Sequence, residues 1–116
     1  MTGIVYATDL DTSTADGLEI GVEAGPPGTV RVCVSGEIDL QNAAALRDTL
    51  LIALAAHRGD LLLDLERVSF CDCSALNALL TVRHAALRVG RGLRITAAGR
   101  PVERLLHLTG TRTLFT

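Results

Sequence analysis

The hydrophobic residues of this chain change their spacing repeatedly after residue 18, and any fold must accommodate every change. Leu18, Ile20, Val22 and Ala24 alternate with Glu19, Gly21 and Glu23, the two-residue period of a half-buried strand. Gly25-Pro26-Pro27-Gly28 breaks the run, after which Val30, Val32 and Val34 alternate with Arg31, Cys33 and Ser35. The two runs read as a hairpin, with Cys33 on the face opposite the valines. Past Gly36-Glu37-Ile38-Asp39 the segment LQNAAALRDTLLIALAAHRG takes the helical period, with Leu46, Leu50, Ala53, Leu54 and His57 on one side. Asp39 is a good N-cap candidate for this helix and Gly59 its stop. His57 and Arg58 fall in the last turn, where basic groups oppose the negative end of the helix dipole.

Leu61-Leu62-Leu63-Asp64-Leu65 is nearly continuously apolar, as in a strand covered on both faces. The stretch from Ser69 to Leu76 then reads as a polar turn. SALNALLTVRHAALRVGRG follows as a second helix, with Leu76, Leu79, Leu80, Arg83, Ala86 and Leu87 at helical spacing and an end at Gly90 or Gly92. Leu93 to Ala97 reads as a further strand, and Pro101 suits the first turn of a third helix reaching about His107. Leu114 and Phe115 close the chain, on an edge or beneath that helix. The order is β-β-α-β-α-β-α, an α/β fold with a mixed sheet, its later strands parallel and helices packed on it. Residues 18–116 form one domain. Residues 1–17 form a flexible leader or a short first strand, with one apolar patch from Ile4 to Tyr6. Partner surfaces in such sheets lie at the carboxyl ends of the parallel strands, where the polar turn is.

Composition excludes several classes of function. Aromatics make up 3% of the chain, so stacking platforms for bases are scarce, and a net charge of -2 leaves no basic footprint for nucleic acid. All 11 basic residues are arginine, which removes lysine-based chemistry. No apolar stretch approaches the roughly 18 to 20 residues that cross a bilayer, so no direct membrane contact is expected. Three cysteines, an odd number, in a chain without a charged and apolar leader point to reduced thiols and a cytoplasmic setting.

Catalytic constellations fail at the turn. A cysteine phosphatase needs an arginine about six residues after its nucleophile, and the residue six past Cys73 is Leu79. Cys71 and Cys73 lack the spacing and the histidines of a metal site, so no metal and no cofactor are expected. His84 lies too far down the same helix to meet Ser74, at about 15 Å along the axis. His84 and His107 read as surface positions, and no catalytic residue is assigned. Ser74 itself can be a helix N-cap, its hydroxyl accepting from the Asn77 amide, and Asp72 can cap as well. A serine at such a turn is also accessible to modification, and a helix N-terminus tolerates the added charge.

Three blocks, VRVCVSGEIDLQNAAALRDTL, LLLDLERVSFCDCSALNALL and GLRITAAGRPVERLLHLTGTRTLF, resemble the STAS domain of the anti-sigma factor antagonist family over about residues 18 to 116. Gly36-Glu37-Ile38-Asp39 matches one family signature and Cys71-Asp72-Cys73-Ser74-Ala75 the other, with Cys73 in place of a hydroxyl residue and Ala75 in place of glycine. The resemblance implies a STAS-like fold and a non-enzymatic antagonist that binds an anti-sigma factor, itself a serine kinase, and releases the sigma factor. By position Ser74 is the phosphorylated residue, with Asp39, Asp72, Cys73, Ala75 and Asn77 on the partner-binding rim. A serine phosphatase is the implied second partner. The alternative within the family is an unphosphorylated scaffold or interaction subunit of a stress-signalling or lipid-transport complex.

Overall fold

The alternating valines and the Gly-Pro-Pro-Gly break do what their pattern demands. In a computed structural model, which describes residues 11–15 and 17–116, strands β2 (Leu18–Ala24) and β3 (Thr29–Ile38) pair antiparallel across that turn. The turn is closed by the Thr29 amide and hydroxyl, which both donate to the Pro26 carbonyl at 2.9 and 2.6 Å. One strand precedes the expected order: β1 (Asp11–Ala15) pairs antiparallel with β2, so these five residues of the expected leader are sheet. The Ile4 to Tyr6 patch lies outside the described residues.

After β3 come α1 (Ala43–Ala56), β4 (Asp60–Cys71), α2 (Cys73–Arg88), β5 (Leu93–Ala98), α3 (Arg100–Thr109) and a 3-10 turn at Arg112–Phe115. Among the described residues the sheet has five strands in the order β1-β2-β3-β4-β5, with β3, β4 and β5 parallel. From β2 onward the elements follow the expected β-β-α-β-α-β-α order.

One continuous core joins a single face of the sheet to all three helices. Ile20, Val32, Leu63 and Ile95 meet Leu46 and Leu50 of α1, Leu79 and Val82 of α2, and Val102 and Leu106 of α3. Among the described residues nothing covers the other face, which carries Glu19, Arg31, Cys33 and Arg94 in solvent. This corrects the expectation that the leucine run of β4 is covered on both sides. Burial alternates along Leu61, Leu62, Leu63, Asp64 and Leu65, and the half-buried Leu62 sits on the open face between Arg31 and Arg94 in register. Long arginine stems can shield such a leucine while their charged heads stay wet.

Strand β4 is also much longer than its apolar run. It continues through Ser69-Phe70-Cys71 rather than forming a turn, with Phe70 and Cys71 paired with the end of β3. Register shifts between Cys33 and Ser35, and again between Gly36 and Glu37, absorb extra residues on β4. A bulge moves the inward phase from Leu65 to Val68, which breaks the alternation that sequence reading relies on. Gly36 takes φ +109 at the second irregularity, and a Cβ there would strike the Gly17 carbonyl. Glycine is the residue that this crowded position admits.

The helices differ in detail from their expected limits. His57 is the C-cap of α1 in extended conformation, so neither it nor Arg58 belongs to the last turn. Gly59 takes φ +97 just beyond, and the Arg91 guanidinium then ties the end of α1 to the exit of α2 by donating to the Leu54 and Gly59 carbonyls, both at 2.6 Å. The inward stripe of α2 is Ala75, Leu76, Ala78, Leu79, Val82 and Ala86, while Leu87 faces solvent. Phe115 is fully buried, packed where the final turn meets α3 and β5.

The position of the two phenylalanines makes a stability contrast. Phe115→Ala is expected to lower the unfolding free energy by about 3–5 kcal/mol through lost burial and a residual cavity. Phe70, 48% exposed on β4, should cost no more than about 1 kcal/mol on the same substitution. Urea denaturation of the two variants checks the ordering, and equal midpoints would contradict the assigned core.

Candidate interaction site

Parallel pairing brings the two sequence signatures together. Ile38 and Cys71 are partners at the ends of β3 and β4, so Asp39 and Asp72 follow at adjacent strand ends, each leading into a helix. Both acids are half-buried, and both are spent on backbone geometry.

Asp39 does not cap α1 directly. Its Oδ1 accepts from the Gln41 and Asn42 amides at 2.9 and 3.3 Å, and its carbonyl accepts from the Ala43 amide at 2.9 Å. The carboxylate thus holds a tight turn, and the helix begins only at Ala43, after Asn42. Asn42, which sequence analysis passed over, is the one buried polar residue among those described. Its Nδ2 donates to the Glu37 carbonyl at 2.7 Å and its Oδ1 accepts from the Asp39 amide at 3.0 Å. The side chain braces both ends of the loop. Leu40, at the tip, is left 80% exposed.

At the second strand end the capping role falls to Asp72. It is extended, its Oδ1 accepts from the Ser74 amide at 2.8 Å, and its carbonyl accepts from the Ala75 amide at 3.0 Å. Ser74 is therefore the second residue of α2 and not its N-cap, which corrects the capping reading of its hydroxyl. An aspartate two residues upstream already satisfies the amide that capping addresses. Among the described residues the Ser74 hydroxyl has no hydrogen-bond partner.

Ser74 is half-buried and faces a groove of about 240 Å³ between α1 and α2. Leu40, Ala43, Ala44 and Arg47 line one side, and Ser74, Asn77, Ala78 and Thr81 the other. Cys73 and Asn77 are exposed beside it. Ala75 is not on this rim. It is 2% exposed, its methyl in the core, which corrects its expected place in a partner surface. Neither Arg47 nor Leu40 was legible as a site residue, because nothing local ties α1 to α2.

The thiols divide by environment. Burial pushes the Cys71 thiol up, with the Asp72 charge adding to it, and Sγ points to the Pro101 carbonyl at 3.4 Å. Scarce thiolate opposes a nucleophilic role there. Cys33 lies on the open sheet face, where burial, Asp64 and Glu23 raise its pKa against Arg31 and Arg67. It borders a larger hollow of about 510 Å³ that shares no residue with the Ser74 groove. Among the described residues no three His, Cys, Asp or Glu side chains come together as a metal site, and no helix is long and apolar enough to cross a membrane.

Comparison with known proteins now decides the family. The family described as Mlab, STAS domain, matches residues 22–116. An anti-sigma factor antagonist from Mycobacterium paratuberculosis has a similar structure, 32% identical with a TM-score of 0.74, over 89% of this chain and 86% of that one. The chain belongs to the STAS-domain anti-sigma factor antagonist family. Two further STAS structures share the fold. The anti-sigma factor antagonist SpoIIAA in its unphosphorylated form is 18% identical with a TM-score of 0.71, over 84% of this chain and 85% of that one. The Bacillus cell fate determinant SpoIIAA in the phosphorylated form is 19% identical with a TM-score of 0.59, over 84% and 88%. No curated protein sequence matches. Both signature segments lie at the adjacent carboxyl ends of β3 and β4, one ending β3 and the other running from the end of β4 into α2.

The two loop braces should separate in magnitude. Asp72→Ala removes the half-buried cap of α2 and is expected to cost about 1 kcal/mol. Asn42→Ala removes a fully buried side chain, leaves the part-buried Glu37 carbonyl and Asp39 amide without these partners, and should cost about 2–3 kcal/mol. Chemical denaturation of both variants measures the difference, and an Asn42→Ala midpoint equal to that of the unsubstituted chain would refute the brace.

Proposed function

We propose that this STAS domain is a non-enzymatic anti-sigma factor antagonist, switched off by phosphorylation of Ser74. It binds an anti-sigma factor at the rim formed by Asp39, Leu40, Asp72, Cys73 and Asn77, and that binding frees the sigma factor. The anti-sigma factor acts as a serine kinase: the γ-phosphoryl group of ATP passes to the Ser74 hydroxyl, ADP leaves, and the hydroxyl proton goes to the kinase. A serine phosphatase reverses the mark. The setting is the cytoplasm, where sigma factors act.

The observation that carries this reading is the division of labour between Asp72 and Ser74. The cap of α2 is supplied by the Asp72 carboxylate, and the Ser74 hydroxyl holds nothing in place among the described residues. Esterifying it therefore removes no bond on which the fold depends. The added charge of about -1.5 to -2 sits in the first turn of a helix, where free amides and the dipole favour an anion. Its effect falls on the partner instead. Asp39 and Asp72 already make the rim acidic, and a phosphate between them and the groove opposes an acidic or closely packed partner surface. About 3–4 kcal/mol lost at an interface changes occupancy by two to three orders of magnitude. Ala75, pointing inward, leaves the hydroxyl unobstructed, so the departure from glycine costs the site no access.

Incubation with the active kinase and ATP, followed by intact mass measurement, is expected to add one phosphate to the unsubstituted chain and none to Ser74→Ala. No phosphate on either would sink the switch and leave a constitutive STAS interaction subunit. Ser74→Glu should bind the anti-sigma factor about a hundredfold more weakly at an unchanged melting temperature.

A further inference from the structure

Among the described residues lining the groove beside Ser74, one is a cation. Arg47 lies on α1 and Ser74 on α2, and the other residues lining the space between the helices include Ala43, Ala44 and Ala78, which leave the passage open. The guanidinium is held only lightly. Its Nε meets Asp48 Oδ1 at 3.0 Å, but the two residues are adjacent on a helix and their side chains are 41% and 60% exposed. Neighbours in sequence do not share a helix face, and exposed pairs of this kind are weak. Among the described residues four of the five guanidinium N–H groups remain available for another acceptor. Other arginines near this end are placed elsewhere: Arg83 donates to the Leu114 carbonyl, and Arg100 and Arg104 line a separate hollow with Phe70 and Pro101.

We propose that Arg47 is the phosphate-holding residue of this domain. When Ser74 is phosphorylated, as the preceding reading requires, the guanidinium leaves Asp48 and takes the phosphate oxygens as a bidentate pair. A phosphate dianion fits the planar fork of arginine better than one carboxylate oxygen does, and both groups are ionised in the contact. The movement is a rotamer change of an exposed side chain that already lines the groove. Its consequence is a closed groove. The modified chain then presents a filled cleft, in which Arg47 offsets one of the two phosphate charges, where the unmodified chain offers the apolar space beside Leu40. Docking is blocked by occupancy of the groove as well as by charge.

Several charges act on the phosphate. Asp48 on α1, Asp72 at the start of α2 and Asp39 in the β3–α1 loop all favour its protonated form, whereas Arg47 favours the dianion; Asn77 and Thr81 on α2 are neutral. The contribution of Arg47 is therefore read as a difference between variants.

Phosphoserine installed at position 74 during translation makes the test independent of any kinase. The second phosphate pKa, ordinarily about 6, is followed by phosphorus NMR titration. Arg47→Gln is expected to raise it by at least about 0.5 unit relative to the unsubstituted phosphoprotein. Arg88→Gln, at the far end of α2, is expected to leave it unmoved. Coincident titrations of the unsubstituted and Arg47→Gln proteins would overturn the proposal. So would equal shifts in both variants, which would report net charge alone. Failure of the kinase to modify Ser74, with the Arg47 shift intact, would count against the switch and not against the clamp.

Discussion

The parallel pairing of β3 with β4 is the constraint from which the rest follows. These two central strands share the longest interface in the fold, and their ends are in register at Ile38 and Cys71. Extra residues on β4 are absorbed by bulges, so both strands finish together although their inward phases differ. A strand that slipped by one residue would turn its core leucines outward. The same pairing puts the two loops that lead into α1 and α2 side by side, and thereby sets the distance between the helices that form the groove.

Around that pairing, structural and signalling duties fall on different atoms. Carboxylates and an amide side chain organise the backbone: Asp39 holds its turn, Asn42 braces it from the interior, and Asp72 caps α2. The Ser74 hydroxyl stays outside this network, though only two residues from the cap. Ala75 turns the next position into the core. This alternation of inward methyl and outward hydroxyl on one helical turn lets a surface be modified without loosening the layer beneath it. The one-sided sheet has a parallel consequence. All three helices cover the same face, and the loops at the ends of β3 and β4 leave Leu40 and Cys73 exposed.

Much of the fold was legible in sequence because its signals are local. Val30, Val32 and Val34 encode their own inward face, and Gly25 to Gly28 encode their own turn. The stretch from Ser69 to Cys71 was misread for a physical reason: a bulge interrupts the two-residue period, so a real strand loses the pattern that identifies one. Asn42 escaped notice because an asparagine in a loop looks solvated until both of its partners are located. Arg83, expected on the inward stripe of α2, yields that place to Val82 once the helix packs. Charge and shape, and not period alone, choose the buried side.

By itself the sequence determined the succession of strands and helices from Leu18 onward, much of the core, the two signature segments and the serine near the start of α2. These depend on interactions spanning a few residues, and periodicity, glycine, proline and local polar side chains express them directly. Tertiary structure alone decided which acid caps which helix, that Ala75 points inward, and that Arg47 shares a groove with Ser74. Each is the outcome of competition among groups that are remote in sequence, and it is settled only when β3 and β4 align and bring their helices together.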